Sequence, residues 1–168
     1  MILISLAHAL VHVFELSLSS VEQVIGDEFQ LGKAWTGKLG TAFRLPFGLG
    51  ALLAGFLADR IGPKRMLCGY LFGSMVVSLA MPFADQPNQV MLAMILLGCF
   101  ASIYHPAGLS LLSQVSTPEN RGRALGIHGI LGSLGICAAP FMAAVVFYLN
   151  GDQWRYYYLM LAIPVAVV

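Results

Sequence analysis

The 168 residues are 58% hydrophobic and 10% charged, with a net charge of +1 and a mean hydropathy of +0.81, whereas a soluble domain carries roughly 25% charged residues. Lipid is therefore the solvent for most of the chain. The lack of any basic block argues against a nucleic-acid partner, whose phosphates need clustered Lys and Arg.

Six apolar runs follow one another at about 2–20, 38–58, 66–84, 89–112, 122–148 and 154–168, joined by short connectors rich in Gly, Pro, Asn and Asp. A helix needs about 20 apolar residues to cross a bilayer. The runs therefore predict an all-α integral membrane fold of six transmembrane helices, forming one bundle over residues 1–168. Barrel strands would alternate over segments of about ten residues, and these runs do not. The first run lacks a charged leader and a small-residue cleavage site, and it carries His8, His12 and Glu15, so it reads as a retained helix. The last run, from Trp154 to Val168, amounts to roughly 22 Å of helix at ~1.5 Å per residue, short of a ~30 Å hydrocarbon core. The expectation is a truncated sixth helix in a fragment of a longer protein or an incomplete gene product. Cys68, Cys99 and Cys137 stand singly within apolar runs, which argues against a disulfide framework or a Cys-x-x-Cys metal site.

The even-numbered connectors carry Arg60, Lys64, Arg65, Arg121 and Arg123, and the odd-numbered ones Lys33, Lys38 and Arg155. By the bias of basic residues toward the cytoplasm, the even connectors and the amino terminus are expected to be cytoplasmic. Small residues recur at three- or four-residue steps in the second run (Gly48, Ala51, Gly55, Ala58) and the fifth (Gly122, Gly126, Gly129, Gly132, Gly135, Ala139). Such stripes let helix backbones approach closely in lipid. Pro46, Pro106 and Pro140 are each expected to bend a helix.

The segment Gly55-Phe-Leu-Ala-Asp59-Arg60-Ile-Gly62-Pro-Lys64-Arg65 falls between the second and third runs. It resembles the G-x-L-A-D-R-x-G-R-K signature of the major facilitator superfamily at nearly every defined position, with Pro63 in place of a basic residue. The resemblance implies the amino-terminal half of a twelve-helix transporter, built as two inverted three-helix repeats. It also implies a conformational-switch loop of Gly55, Asp59, Arg60, Gly62, Lys64 and Arg65, with Arg121 and Arg123 beyond helix four as ion-pairing partners near Glu119. Plain positive-inside charge is the competing reading for Lys64, Arg65 and Arg123. A second resemblance, carried by His8 and by Gly98-Cys-Phe-Ala-Ser-Ile-Tyr104-His105-Pro106, is to the fosmidomycin-resistance-type branch. The Arg that drug/proton antiporters usually carry in helix four is missing from Met91 to Gly98, and Ala139-Pro140 replaces their Gly-Pro pair, so the resemblance does not imply a standard drug antiporter.

Ionisable residues at membrane depth cost about 2.5–3.5 kcal/mol each on insertion scales, so each is a functional-site candidate. His8, His12 and Glu15 share one face of the first helix, and His105 shares a face of the fourth with Gly98, Ala101 and Gly108. Since helices one and four line the central cavity in the family, the resemblance places these residues on the path of a substrate or proton, with Arg44 and His128 nearby. Arg44 could instead snorkel to the interface, His8 could be interfacial, and His128 could serve only as an interhelical hydrogen-bond partner.

The function these features predict is secondary active transport of a small solute by alternating access, coupled to protons through Glu15 and a histidine, rather than enzymatic catalysis. The expected partners are a small-molecule substrate, the lipid bilayer and a carboxy-terminal six-helix half of the same protein; the expected setting is a bacterial cytoplasmic membrane. No cofactor other than the proton, and no metal, is expected, although His8, His12 and Glu15 are ligand types for zinc. Two alternatives stay open: a membrane redox protein with haem held by helix histidines, and a six-helix protein that works only as a homo-oligomer.

Overall fold

Helices occupy Ile2–Ser17 (α1), Glu22–Glu28 (α2), Lys33–Ile61 (α3), Pro63–Ala80 (α4), Pro87–Ala101 (α5), Tyr104–Gln114 (α6), Arg121–Asn150 (α7) and Trp154–Val167 (α8), with a 3-10 turn at Met81–Phe83. The computed structural model describes residues 1–168, the side chains of residues 166 and 167 apart, and no strand occurs among the described residues. Five helical stretches are long and apolar enough to cross a membrane: Ile2–Glu28, Lys33–Ile61, Pro63–Phe83, Pro87–Gln114 and Arg121–Asn150. The sixth, α8, has 14 residues.

Three boundaries differ from the hydropathy reading, each for a local reason. The second helix begins at Lys33 rather than near 38, so Lys33 and Lys38 ride on α3 instead of a connector, and the Lys38 ammonium lies 5.4 Å over the Trp35 ring. The Gly55–Arg65 segment, expected as a loop, is helical on both sides of a single residue, Gly62. Gly62 takes φ +96°, a region open to glycine, and Pro63 starts α4 with φ already fixed for a helix. The fourth helix breaks into α5 and α6 at Ser102 and Ile103, because Pro106 has no N–H for the Ser102 carbonyl and its ring crowds that carbonyl. Pro46 and Pro140 lie within the unbroken helices α3 and α7. The start of α5 is firmly set: Pro87 occupies its first turn, and Gln86 and Gln89 form a reciprocal capping box.

The most extensive interhelical contacts are α1 with α7, α3 with α5, and α4 with α8. In terms of spans these are one with five, two with four, and three with six. Exchanging the first three spans for the last three maps this set onto itself, as two like three-helix repeats require. Close backbone approach makes two of the contacts. Gly135 of α7 faces the Ala9 carbonyl of α1, and Gly98 of α5 faces the Phe43 carbonyl of α3; a Cβ at either would strike that oxygen. Val11, Phe14, Leu97, Tyr70, Tyr104 and Trp154 are among the buried core side chains. Leu45, Leu49, Leu52, Leu53 and Phe56 of α3 face outward, as side chains solvated by lipid do.

Candidate functional site

The face of α1 that carries His8, His12 and Glu15 lies against α6 and α7, and the three residues form a chain of contacts. His8 Nδ1 lies 2.9 Å from the His128 carbonyl oxygen. His8 Nε2 lies 3.2 Å from His12 Nε2, and His12 Nδ1 lies 2.9 Å from Glu15 Oε2. Helical spacing of four and then three residues stacks these groups one turn above another.

The other candidates close around this chain. The His128 ring of α7 stacks on His8 with centroids 4.0 Å apart and planes within 9°. Gly132, one turn further along α7, makes room for the His8 ring: a Cβ there would lie 2.5 Å from His8 Cε1. His105, presented at the α5–α6 break, meets His8 edge-on at 5.6 Å and His12 at 5.7 Å, with Phe47 of α3 behind it at 5.8 Å. The structure thus brings together His8, His12, Glu15, His105 and His128 from three separated stretches of chain. Arg44 stands apart, exposed on α3; its charge acts on Glu15, but it makes no ion pair among the described residues.

Two tyrosines that the sequence reading passed over hold α1 in register with this cluster. The Tyr104 hydroxyl donates to the Ile4 carbonyl at 2.6 Å and the Tyr70 hydroxyl to the Ala7 carbonyl at 3.2 Å, both fully buried. Tyr104 also stacks on His8 at 5.3 Å. Its place beside His105 in the Tyr-His-Pro element was the available signal; Tyr70, deep in an apolar run, offered none. His128 is 4% exposed, and its Nδ1 has no hydrogen-bond partner among the described residues. A buried ring nitrogen of this kind ordinarily has a partner, as donor or acceptor according to the tautomer.

In donor chemistry, the ring nitrogens of His8, His12 and His105 lie within 4.8 Å of one another and are of the type a transition metal takes. Haem fits less well, since the histidine rings pack on one another at 4.0–5.7 Å and leave no slot for a macrocycle between them.

The switch-loop candidates lie at the ends of helices, away from the cluster. Asp59 and Arg60 close α3, Lys64 and Arg65 open α4, Arg121 and Arg123 open α7, and all six are exposed. None of them makes an ion pair among the described residues; the Arg60 guanidinium instead covers the Phe56 ring at 4.1 Å. Gly55 packs against Pro106 of α6. In the α6–α7 connector, hydrogen bonds from the Thr117 side chain and from its own backbone hold the Glu119 carboxyl below the usual carboxylate range. The charged clasp that does form lies elsewhere. Arg155 donates to the Pro82 and Ala84 carbonyls and to Glu28 Oε2, at 3.1, 2.9 and 2.7 Å, and Trp154 Nε1 donates to the same Glu28 oxygen at 2.6 Å.

Comparison with known proteins agrees with this architecture. A family model described as Major Facilitator Superfamily matches residues 4–168. The chain is similar to the puromycin resistance protein pur8 of Streptomyces alboniger, 33% identical over 124 residues, covering 73% of this chain and 24% of that protein. It is also similar to a probable L-galactonate transporter of Escherichia coli (strain K12), 27% identical over 156 residues, covering 92% of this chain and 34% of the relative. The multidrug resistance protein MdtG of Salmonella arizonae is 33% identical over 103 residues, which cover 59% of this chain and 26% of that protein. The chain therefore spans about a quarter to a third of the length of these relatives.

Proposed function

The chain belongs to the Major Facilitator Superfamily, and from that premise we propose that it is part of a secondary active transporter that moves a small polar or anionic solute by alternating access, coupled to protons. The observation that carries the proposal is the half-buried to buried polar cluster of His8, His12, Glu15, His105 and His128, assembled from α1, α6 and α7 in a bundle whose buried residues are mostly apolar. Groups of this kind are expensive at membrane depth and are retained where a solute or ion passes. Glu15 and His12, joined at 2.9 Å, can exchange a proton, and either charge state alters the cost of closing the cavity over a solute. Arg44, exposed on α3, supplies a guanidinium for an anionic group.

The complete protein would place this six-span unit against a carboxy-terminal half in a bacterial cytoplasmic membrane, with the amino terminus on the cytoplasmic side. The relatives' names, one for puromycin resistance and one for probable L-galactonate transport, point to different chemistry, and the proposal takes from them only a small solute. Solute-induced proton movement in proteoliposomes carrying the complete protein tests it, screened with sugars, organic acids, phosphonates and drugs. One solute class should change the lumenal pH, and Glu15→Gln should abolish that change while solute binding persists. Coupling that survives in Glu15→Gln rejects the carboxylate's role.

A further inference from the structure

The hydrogen-bond inventory of the α1 cluster fixes how many protons it holds. The His128 carbonyl can only accept, so His8 Nδ1 must be its donor. If Glu15 is ionised it too can only accept, and His12 Nδ1 must donate to it. With both Nδ1 protons so committed, neutral imidazoles present two Nε2 lone pairs to each other at 3.2 Å, which is a repulsion and not a bond. The contact becomes a hydrogen bond when one more proton is added.

That extra proton has three placements, and the same heavy-atom positions satisfy all of them. It can sit on His8 Nε2, making His8 an imidazolium that donates to His12 Nε2 while Glu15 stays a carboxylate. It can cross to His12 Nε2, making His12 the imidazolium that donates to His8 Nε2 and, through Nδ1, to the Glu15 carboxylate. From there the His12 Nδ1 proton can move to Glu15 Oε2, leaving His8 neutral, His12 in its other tautomer and Glu15 a carboxylic acid. No bond other than N–H and O–H is made or broken, and the summed charge of the three groups is zero in all three placements. Without the extra proton the sum is one negative charge, held at membrane depth.

We propose that His8, His12 and Glu15 form one proton-binding site that carries a single proton in common along the His8–His12–Glu15 line, and that the arrangement seen is its loaded form. This deepens the transport reading above and rests on it for its purpose, though not for its chemistry. The groups facing the line are His128 of α7, stacked on His8, His105 and Tyr104 of α6, and Arg44 of α3. No charged group of α5 or α8 acts on it among the described residues. Release of the proton leaves the two Nε2 lone pairs opposed, so His8 and His12 part, while His8 stays tied to α7 through the His128 carbonyl and ring. The site thus converts the presence of one proton into the position of the His12 ring, and of the Glu15 carboxyl bonded to it, relative to His8 and α7.

The test needs no substrate: magnetic resonance of the complete protein in lipid, with histidine ring nitrogens labelled with 15N. In the loaded form a scalar coupling should connect two Nε2 nuclei across an N–H···N bond. Raising the pH should remove it in one step, with release of one proton per chain, and His8→Gln or His12→Gln should each abolish both signals. Absence of the coupling at every pH overturns the proposal, as does proton release that His8→Gln leaves unchanged. A tightly held transition metal ion on the histidines of the purified protein overturns it as well. Because no solute is present, the shared proton can fail while proton-driven transport persists, and transport can fail while the shared proton stands.

Discussion

Replacing Gly135 with alanine tests the seating of α1 on α7. An added Cβ would run into the Ala9 carbonyl oxygen and lie 2.7 Å from the Ala9 Cα and carbonyl carbon. Both are backbone, so neither can rotate aside. Ordinary contact begins at 3.4 Å, so the two carbons alone require α1 to move by at least about 0.7 Å (3.4 minus 2.7), and the nearer oxygen requires more. Carried to His8, the neighbour of Ala9, a shift of that size lengthens the 2.9 Å bond to the His128 carbonyl to about 3.6 Å or more, beyond hydrogen-bond range. Overpacking of this kind costs about 1–3 kcal/mol, while the better helix propensity of alanine returns at most ~1 kcal/mol. Gly122→Ala is the control, since its Cβ would meet nothing within 4 Å. Thermal unfolding of the complete protein in detergent, followed by tryptophan fluorescence, should show Gly135→Ala with a lowered midpoint and Gly122→Ala unchanged or raised. A Gly135→Ala protein as stable as the parent would refute the backbone contact between these spans.

The same assay checks three further outcomes. Arg155→Ala leaves the Pro82 and Ala84 carbonyls without a donor and Glu28 with only the Trp154 N–H, and at this partly exposed site should cost about 1–2 kcal/mol, of which Arg155→Lys recovers only part because a compact ammonium lacks the planar fork that spans all three acceptors. Tyr104→Phe removes a buried 2.6 Å hydrogen bond to Ile4 and should lose about 1 kcal/mol while also shifting the ring resonances of the stacked His8. Gly62→Ala forces a side chain into φ +96° between α3 and α4 and should lose at least about 1 kcal/mol, with no effect on the histidine cluster.

The all-helical class and the order of the apolar helices were legible because lipid demands long apolar runs, and the glycines of the fifth run announced a close approach. Which glycines make it was not legible. Gly132 and Gly135 meet α1, while Gly122, Gly126 and Gly129 meet nothing within 4 Å, a distinction set by the rotation of α7 and not by spacing along the chain. Among the site candidates, the α1 face of His8, His12 and Glu15 followed from helical periodicity alone. The joining of His105 and His128 to it depended on tertiary packing, which one sequence carries only through resemblance. The Gly55–Arg65 segment looked like a loop because its charges are dense, yet a glycine and a proline in succession need only one non-helical residue to turn the chain. Tyr70 escaped notice because a tyrosine amid apolar residues reads as core until its hydroxyl is seen to find the Ala7 carbonyl.

The clasp at Arg155 has a consequence for how the protein is made. Glu28 and the carbonyls of Pro82 and Ala84 leave the ribosome long before their common donor, which sits at the head of α8. Until α8 arrives, water or lipid headgroups must satisfy those acceptors, and the ends of the first and third spans that carry them lack this tie. Insertion of the sixth span is therefore the event that fastens this end of the bundle, and a ribosome that stalls before codon 155 would leave helices joined through Tyr70 and Tyr104 but open at the Glu28 end.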